Sequence, residues 1–278
     1  MPTVRINNID CYYEIHGSGN PLILIAGIAS DSQSWQPMLG GLAEYFKVII
    51  FDNRGIGRTQ YPRESFQIST LALDTVCLLD KLAIEKADIL GHSMGGCIAQ
   101  EIAIEYPQRV NKLILASTSA AVSEKSVVLF EGLLKDLESG KNYESFIREF
   151  FDLIFTPEYL KNKENIESAV KYALDYPFPV TSEGFRLQVE ALSNFSSQDR
   201  LDKIKAATLL MIGRKDTLVT AEEAQLLIDK IPFIKALYLE NAAHSFQVEQ
   251  PDLFVSRTVE FLLQGKSHGG LRYEKDYL

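Results

Sequence analysis

Tryptophan occurs once in these 278 residues, cysteine three times and histidine four times, and no apolar run approaches the length of a membrane span. Each scarcity excludes something. Cys11, Cys77 and Cys97 show no metal-ligand spacing and sit inside expected strands or helices, so they read as buried, reduced thiols. The opening "MPTVRINNID" lacks the apolar core of a secretory signal, and together with those thiols it predicts a cytoplasmic protein. Positive charge is also short: 28 Lys and Arg stand against 37 Asp and Glu, a formal net charge of −9. That balance argues against nucleic acid or an anionic membrane surface as the main partner. No cofactor and no metal is expected.

What is present is a large apolar complement. Hydrophobic residues make up 46% and charged residues 23%, enough for one large α/β domain or a core with an inserted subdomain. Short alternating runs around Val4–Ile6 and Cys11–Ile15 flank the turn-forming pair Asn7-Asn8 and predict a hairpin. Compact apolar runs of strand length follow: "PLILIAG" (21–27), "KVIIFD" (47–52), "KADILG" (86–91) and "VNKLILAS" (110–117). Helical patterns separate them, such as "STLALDTVCLLDKLA" (69–83), with Ser69 and Thr70 as cap candidates. Strands that are apolar throughout, alternating with helices, predict a mostly parallel sheet covered on both faces.

The alternation stops near Ser117 and resumes at "ATLLMIG" (207–213), followed by "AEEAQLLIDKI", "KALYLE" (235–240) and "PDLFVSRTVEFLL" (251–263). Between them the pattern is helical, as in "NYESFIREFFDLI" (142–154), with Tyr143, Phe146, Ile147, Phe150 and Ile154 along one face. The expected organisation is a core of residues 1–117 and 201–264, a helical cap of residues 118–200, and an aperiodic tail, 265–278, that is mobile or lightly docked.

The chemistry concentrates at "ADILGHSMGGCIAQEIA" (87–103), where Ser93 follows a strand and precedes a helix rich in small residues. That is the context of a G-x-S-x-G nucleophile elbow, here Gly91-His92-Ser93-Met94-Gly95. The serine must take a strained conformation to project its hydroxyl. The residues two before and two after then come too close to each other to bear side chains. The free N–H groups at the start of the following helix point at any developing oxyanion.

A serine nucleophile needs a base and an acid later in the chain. His16 reads as a surface residue, His92 lies inside the elbow with its side chain directed away from the serine, and His268 is in the tail. His244, in "ENAAHSFQVEQPDLF", follows the last strand of the core on a loop at that strand's C-terminal end, where sites form in such sheets. It is the expected general base. Asp216, in "LLMIGRKDTLVT", lies just past a buried strand between Ser93 and His244 and is the expected acid; Glu240 is the weaker candidate.

With these residues in view, the chain resembles the α/β-hydrolase superfamily, and within it the capped esterase and lactonase-like group. "GHSMGG", "FDNRGIGRT" (51–59), "IAIEYPQRVNKLILAS" (102–117), "GRKDTLVT" and "HSFQVEQP" carry the likeness, which runs over roughly residues 10 to 263. The resemblance implies an α/β-hydrolase fold with a mostly parallel eight-stranded sheet flanked by helices and an inserted helical cap. It implies an oxyanion hole from the backbone N–H of Met94 and that of Ile28, on the loop "LIAGIASDSQSW". Where the group commonly carries His-Gly, this chain has Ala26-Gly27. Asp52 and Arg54 are expected to make structural contacts beneath that loop.

The function so implied is cofactor-free hydrolysis of a small to medium carboxylic ester through an acyl-enzyme on Ser93. An enol-lactonase or a carbon–carbon bond hydrolase is the alternative, and from another class a ligand-binding receptor that retains the triad. The partner expected is a small-molecule ester or lactone; substrate-binding residues are not specified by the motifs. Residues 118–200 hold twelve Phe and Tyr, most of them expected in the cap's own core and a minority lining a pocket. The same segment holds 14 acidic and 9 basic residues (9 − 14 = −5), which disfavours a substrate borne on an acidic carrier protein. Arg186 is the cap cation able to meet a substrate carboxylate.

Overall fold

The computed structural model describes residues 2–140 and 142–264 and the backbone of Asp276–Tyr277. His268 and the rest of the expected tail lie outside the described residues. Asn7 and Asn8, at φ of 36° and 63°, form the left-handed two-residue turn that suits a twisted hairpin, joining β1 (Thr3–Ile6) to β2 (Ile9–His16). The chain continues through β3 (Asn20–Ile25), α1 (Gln36–Ala43), β4 (Phe46–Phe51), α2 (Ile68–Lys81), β5 (Ala87–His92), α3 (Met94–Glu105) and β6 (Val110–Ala116). The start of α2 differs from expectation. Gln67, in extended backbone, is the cap residue, and Thr70 sits inside the first turn with its hydroxyl accepting from the Gln67 N–H at 3.3 Å.

Five helices follow: α4 (Glu124–Glu138), α5 (Tyr143–Ile154), α6 (Pro157–Leu160), α7 (Lys163–Asp175) and α8 (Ser182–Ser193). Each begins with a side-chain cap, from Ser123, Asn142, Thr156, Asn162 and Thr181, which absorbs an otherwise unpaired N–H. An antiparallel bridge between Ala121 and Ser196 ties the two ends of this segment together. The chain returns to the sheet with β7 (Ala207–Gly213), α9 (Ala221–Lys230), β8 (Ile234–Leu239), α10 (Phe246–Glu249) and α11 (Pro251–Leu263).

The sheet runs in the order β1-β2-β4-β3-β5-β6-β7-β8. The first two pairings are antiparallel and the others parallel. This is the expected eight-stranded, mostly parallel sheet; the backbone of Asp276–Tyr277 adds a two-residue β9 beside β8. Successive strand residues feed opposite faces. Leu22, Leu24, Val48, Ile50, Leu209 and Met211 meet Trp35, Met38 and Phe254 on the α1 and α11 side. Ile23, Ile25, Ile49, Phe51, Leu210 and Ile212 meet α2, α3 and α9 on the other. Both faces are covered, which is why the strands read as unbroken apolar runs. No described helix is long and apolar enough to cross a membrane.

One ion pair lies deep in this packing. Arg54 grips Asp74 of α2 with Nε and Nη2 at 2.9 and 2.8 Å, and Nη2 also donates to the Asn7 carbonyl. Arg54 therefore braces the hairpin against α2 and does not lie beneath the loop after β3, as the motif suggested. Asp52 does reach that loop. It accepts from the N–H and hydroxyl of Ser32 and from Arg58. Burial raises the Asp74 carboxyl above the ordinary carboxylate range against the pull of Arg54. Removing one partner of such a pair strands the other. Arg54→Met is expected to cost about 3–5 kcal/mol, and pairing it with Asp74→Leu to recover most of the loss. Urea titrations of the two variants check this; equal stability of single variant and wild type would refute it.

Candidate active site

Ser93 joins β5 to α3 with φ 55° and ψ −120°, outside the regions open to an ordinary L-residue. The surrounding backbone forces that geometry. A Cβ on Gly91 would stand 2.1 Å from the Gly95 carbonyl oxygen. A Cβ on Gly95 would stand 2.0 Å from the Ile25 carbonyl oxygen, so its constraint comes from β3 and not, as the motif suggested, from Gly91. The Ser93 N–H donates to the Ala116 carbonyl of β6, and its carbonyl accepts from the N–H groups of Gly96 and Cys97. Strain is thus held from both sides.

The expected partners converge on this hydroxyl. His244 Nε2 lies 2.9 Å from Ser93 Oγ, and His244 Nδ1 lies 2.8 Å from Asp216 Oδ2. The other Asp216 oxygen accepts from the N–H groups of Leu218 and Val219, each at 2.9 Å, which fixes the carboxylate plane. Glu240 is half exposed and faces Arg214 at 3.3 Å, away from this chain of bonds. His16 pairs with Glu14 at 2.8 Å.

Several groups that sequence reasoning missed hold His244 in place. Its carbonyl accepts from His92 Nε2 at 2.9 Å and from the Ser117 hydroxyl at 2.7 Å. So His92 does turn from Ser93, but only to brace the neighbouring histidine. The Ser245 N–H donates to the Ile154 carbonyl at 2.8 Å. The Glu249 carboxylate accepts from Ala243 at 3.2 Å and from Thr156 at 2.5 Å. A histidine just before the serine was the one available signal; the rest are backbone contacts with no signature.

Met94 is the first residue of α3, where an N–H has no intrahelical acceptor. Ile28 lies on the loop after β3, and among the described residues no hydrogen bond engages its N–H. Asn53 Nδ2 donates to the Ala26 carbonyl at 3.1 Å, and the Ala29 N–H donates to Gln188 at 3.0 Å.

Beside Ser93 and His244 opens a cleft, part of it continuous with solvent. Met94, Cys97, Thr118, Ser119, Ser123 and Ser126 line it with Val122, Phe130, Leu192, Leu218 and Val219, and none of these carries a formal charge. Of the twelve aromatics between residues 118 and 200, only Phe130 reaches this wall. Ten of the other eleven make ring contacts among themselves, as in Phe146 edge-on to Phe185 at 5.6 Å. Arg186 pairs with Glu190 at 2.6 Å and is absent from the lining, which corrects its suggested role. Among the described residues no cluster of three or more His, Cys, Asp or Glu could hold a metal.

Burial holds the His92 imidazole down at about 3, with His244 adding to the effect. It therefore stays neutral and donates through Nε2. In the unfolded chain a histidine takes its proton at about pH 6.5. Between those values the unfolded chain binds more protons, so stability present above about 6.5 is lost as pH falls. The urea midpoint is expected to drop from pH 7 to pH 4.5, and to drop less in His92→Gln. Identical pH slopes for the two proteins would refute the assignment.

Residues 20–251 match the profile of the family described as the alpha/beta hydrolase fold. A RutD protein of Azorhizobium caulinodans, provisionally named a carbamate hydrolase, is 29% identical over 254 residues, covering 91% of this chain and 95% of its own. A 3-oxoadipate enol-lactonase of Acinetobacter baylyi is 28% identical over 254 residues, covering 91% and 92%. Among solved structures, a thermophilic esterase from Thermogutta terrifontis superposes with a TM-score of 0.81 at 25% identity, covering 94% of this chain and 96% of that one. With that profile spanning most of its length and hydrolase relatives matching nearly end to end, the chain is an enzyme of the hydrolase class and belongs to the alpha/beta hydrolase fold family.

Proposed function

We propose that the protein hydrolyses small to medium carboxylic esters through an acyl-enzyme, with Ser93, His244 and Asp216 as the triad. The observation that carries this is the bonded chain from Ser93 Oγ through both ring nitrogens of His244 to a fully buried Asp216 side chain. Ser93 Oγ attacks the ester carbonyl carbon while His244 Nε2 takes the hydroxyl proton. Asp216 keeps Nδ1 protonated and stabilises the imidazolium. The carbonyl π electrons become an oxyanion that accepts from the N–H groups of Met94 and Ile28. Collapse expels the alcohol, which receives the proton from His244, and leaves an acyl group on Ser93. Water, deprotonated by His244, then attacks the acyl carbon, the carboxylic acid departs, and Ser93 regains its proton.

The helices of residues 118–200 act in this reading as a cap, since Ser126, Phe130 and Leu192 close one side of the cleft. Three free thiols suit a reducing compartment such as the cytoplasm. The uncharged lining favours a neutral acyl group. Two of its hydroxyls already donate internally, Ser119 to the Ala121 carbonyl and Ser126 to that of Leu218, each at 2.7 Å. The name of the Acinetobacter relative supports a lactonase as the second reading, and that of the Azorhizobium relative a carbamate substrate. A lactone bearing a carboxylate fits the cleft poorly, because a desolvated anion there would meet no cation.

A fluorophosphonate probe is expected to add once per chain, and not at all to Ser93→Ala. Asp216→Asn should lower kcat by about 10⁴-fold with the fold intact. Intact-mass and steady-state measurements check both, and probe addition to Ser93→Ala would sink the serine mechanism. For substrate class, kcat/KM for neutral alkyl esters should exceed that for an anionic monoester of equal length by at least about tenfold. Lactones and aryl carbamates complete the same panel. A preference for the anionic ester would reverse the reading of the cleft.

A further inference from the structure

Helix α8 presents Gly184, Gln188 and Leu192 at successive four-residue steps, on one face. Gly184 meets the loop after β4 backbone to backbone: a Cβ there would stand 2.1 Å from the Gly55 carbonyl oxygen. Leu192, two turns on, lines the cleft beside Ser93. Gln188 lies between them with no exposed surface. Its Oε1 accepts from the Ala29 N–H at 3.0 Å, and its Nε2 donates to the Arg54 carbonyl at 3.2 Å.

Ala29 is the residue after Ile28 and holds φ at 56°, a left-handed conformation that alanine rarely takes. Left alone, the loop would relieve that strain by rotating its peptides, and the Ile28 N–H would turn with them. Two side chains oppose this from either side. Asn53 Nδ2 fixes the Ala26 carbonyl at 3.1 Å, and Gln188 fixes the Ala29 N–H. The first clamp belongs to the core and the second to the inserted helices.

We infer that Gln188 is a positioning residue for the oxyanion donor at Ile28, so that the hole is complete only while α8 is seated on the core. This rests on the serine mechanism proposed above. An amide suits the task because it accepts from one strand of the clamp and donates to the other. Within the loop the Ser30 hydroxyl donates to the Ile28 carbonyl at 3.3 Å, but the N–H of Ala29, the strained residue, is held by Gln188. It would not touch substrate, so it acts on the transition state through Ile28 alone.

Two variants test this, with an alkyl trifluoromethyl ketone as the probe of the tetrahedral oxyanion. Gln188→Met keeps length and loses both hydrogen bonds. Its kcat is expected to fall about tenfold to a hundredfold, below the loss for deleting a whole donor, with KM changed less than about threefold. The ketone inhibition constant should weaken in parallel with kcat/KM. Gln188→Glu covers the case in which Gln188→Met does not fold. A neutral carboxyl can accept and donate as the amide does, whereas the ionised form turns a lone pair on the Arg54 carbonyl. That variant should therefore show a fall in kcat as pH rises that the wild type lacks. Wild-type kcat in Gln188→Met, an unchanged ketone constant beside a lowered kcat, or a wild-type pH profile in Gln188→Glu would each overturn the inference. Failure of the ketone to inhibit the wild type at all would instead overturn the serine mechanism, and this inference with it.

Discussion

The backbone of Ser93 is the constraint on which the rest depends. A serine at φ 55° and ψ −120° is stable only where neighbours over-determine it. Here β3, β5, β6 and α3 all press on one turn. Gly91 meets Gly95, Gly95 meets β3, and the Ser93 N–H is taken by β6. The same crowding puts the hydroxyl at the carboxyl edge of the sheet and the start of α3 directly behind it. The loops after β3, β6, β7 and β8 all come up to it.

Those loops are held from above as well as below. The segment between β6 and β7 bonds to the His244 loop through Ile154 and Thr156, and to the loop after β3 through Gln188. Tyr176 adds a third fastening, donating to Asp31 at 2.5 Å, and Arg58 bridges Asp31, Asp52 and Glu14 nearby. The helices between β6 and β7 therefore help to hold the loops that carry His244 and Ile28.

Charge is distributed unevenly across this arrangement. A chain with a formal charge of −9 carries no formal charge on its cleft wall. The acids crowd outside it, where Arg58 gathers three carboxylates and Arg54 pairs with Asp74. A polar wall without a cation, two of whose hydroxyls are spent on backbone carbonyls, offers weak recognition to an anion. The selectivity proposed for the enzyme follows from that wall more than from the overall charge.

The sequence by itself determined the sheet and its covered faces, and it singled out Ser93, His244 and Asp216, which the structure brings within hydrogen-bond reach of one another. Strands apolar on both faces must be sandwiched by helices, and a glycine-flanked serine between strand and helix admits few other geometries. Asp216 and His244 were legible because the ends of parallel strands fall along one edge, so position in the chain becomes position in space. What only the tertiary structure decided were contacts without local pattern. Gln188, Glu249, Ser117 and the turn of His92 toward the His244 carbonyl bind backbone atoms far away in sequence. The placing of Arg186 against Glu190 and of Phe130 alone on the cleft wall was equally hidden. Helical periodicity fixes which face of a helix is buried; what that face is buried against depends on how the helices seat on the core, a question of packing between segments that no local spacing encodes.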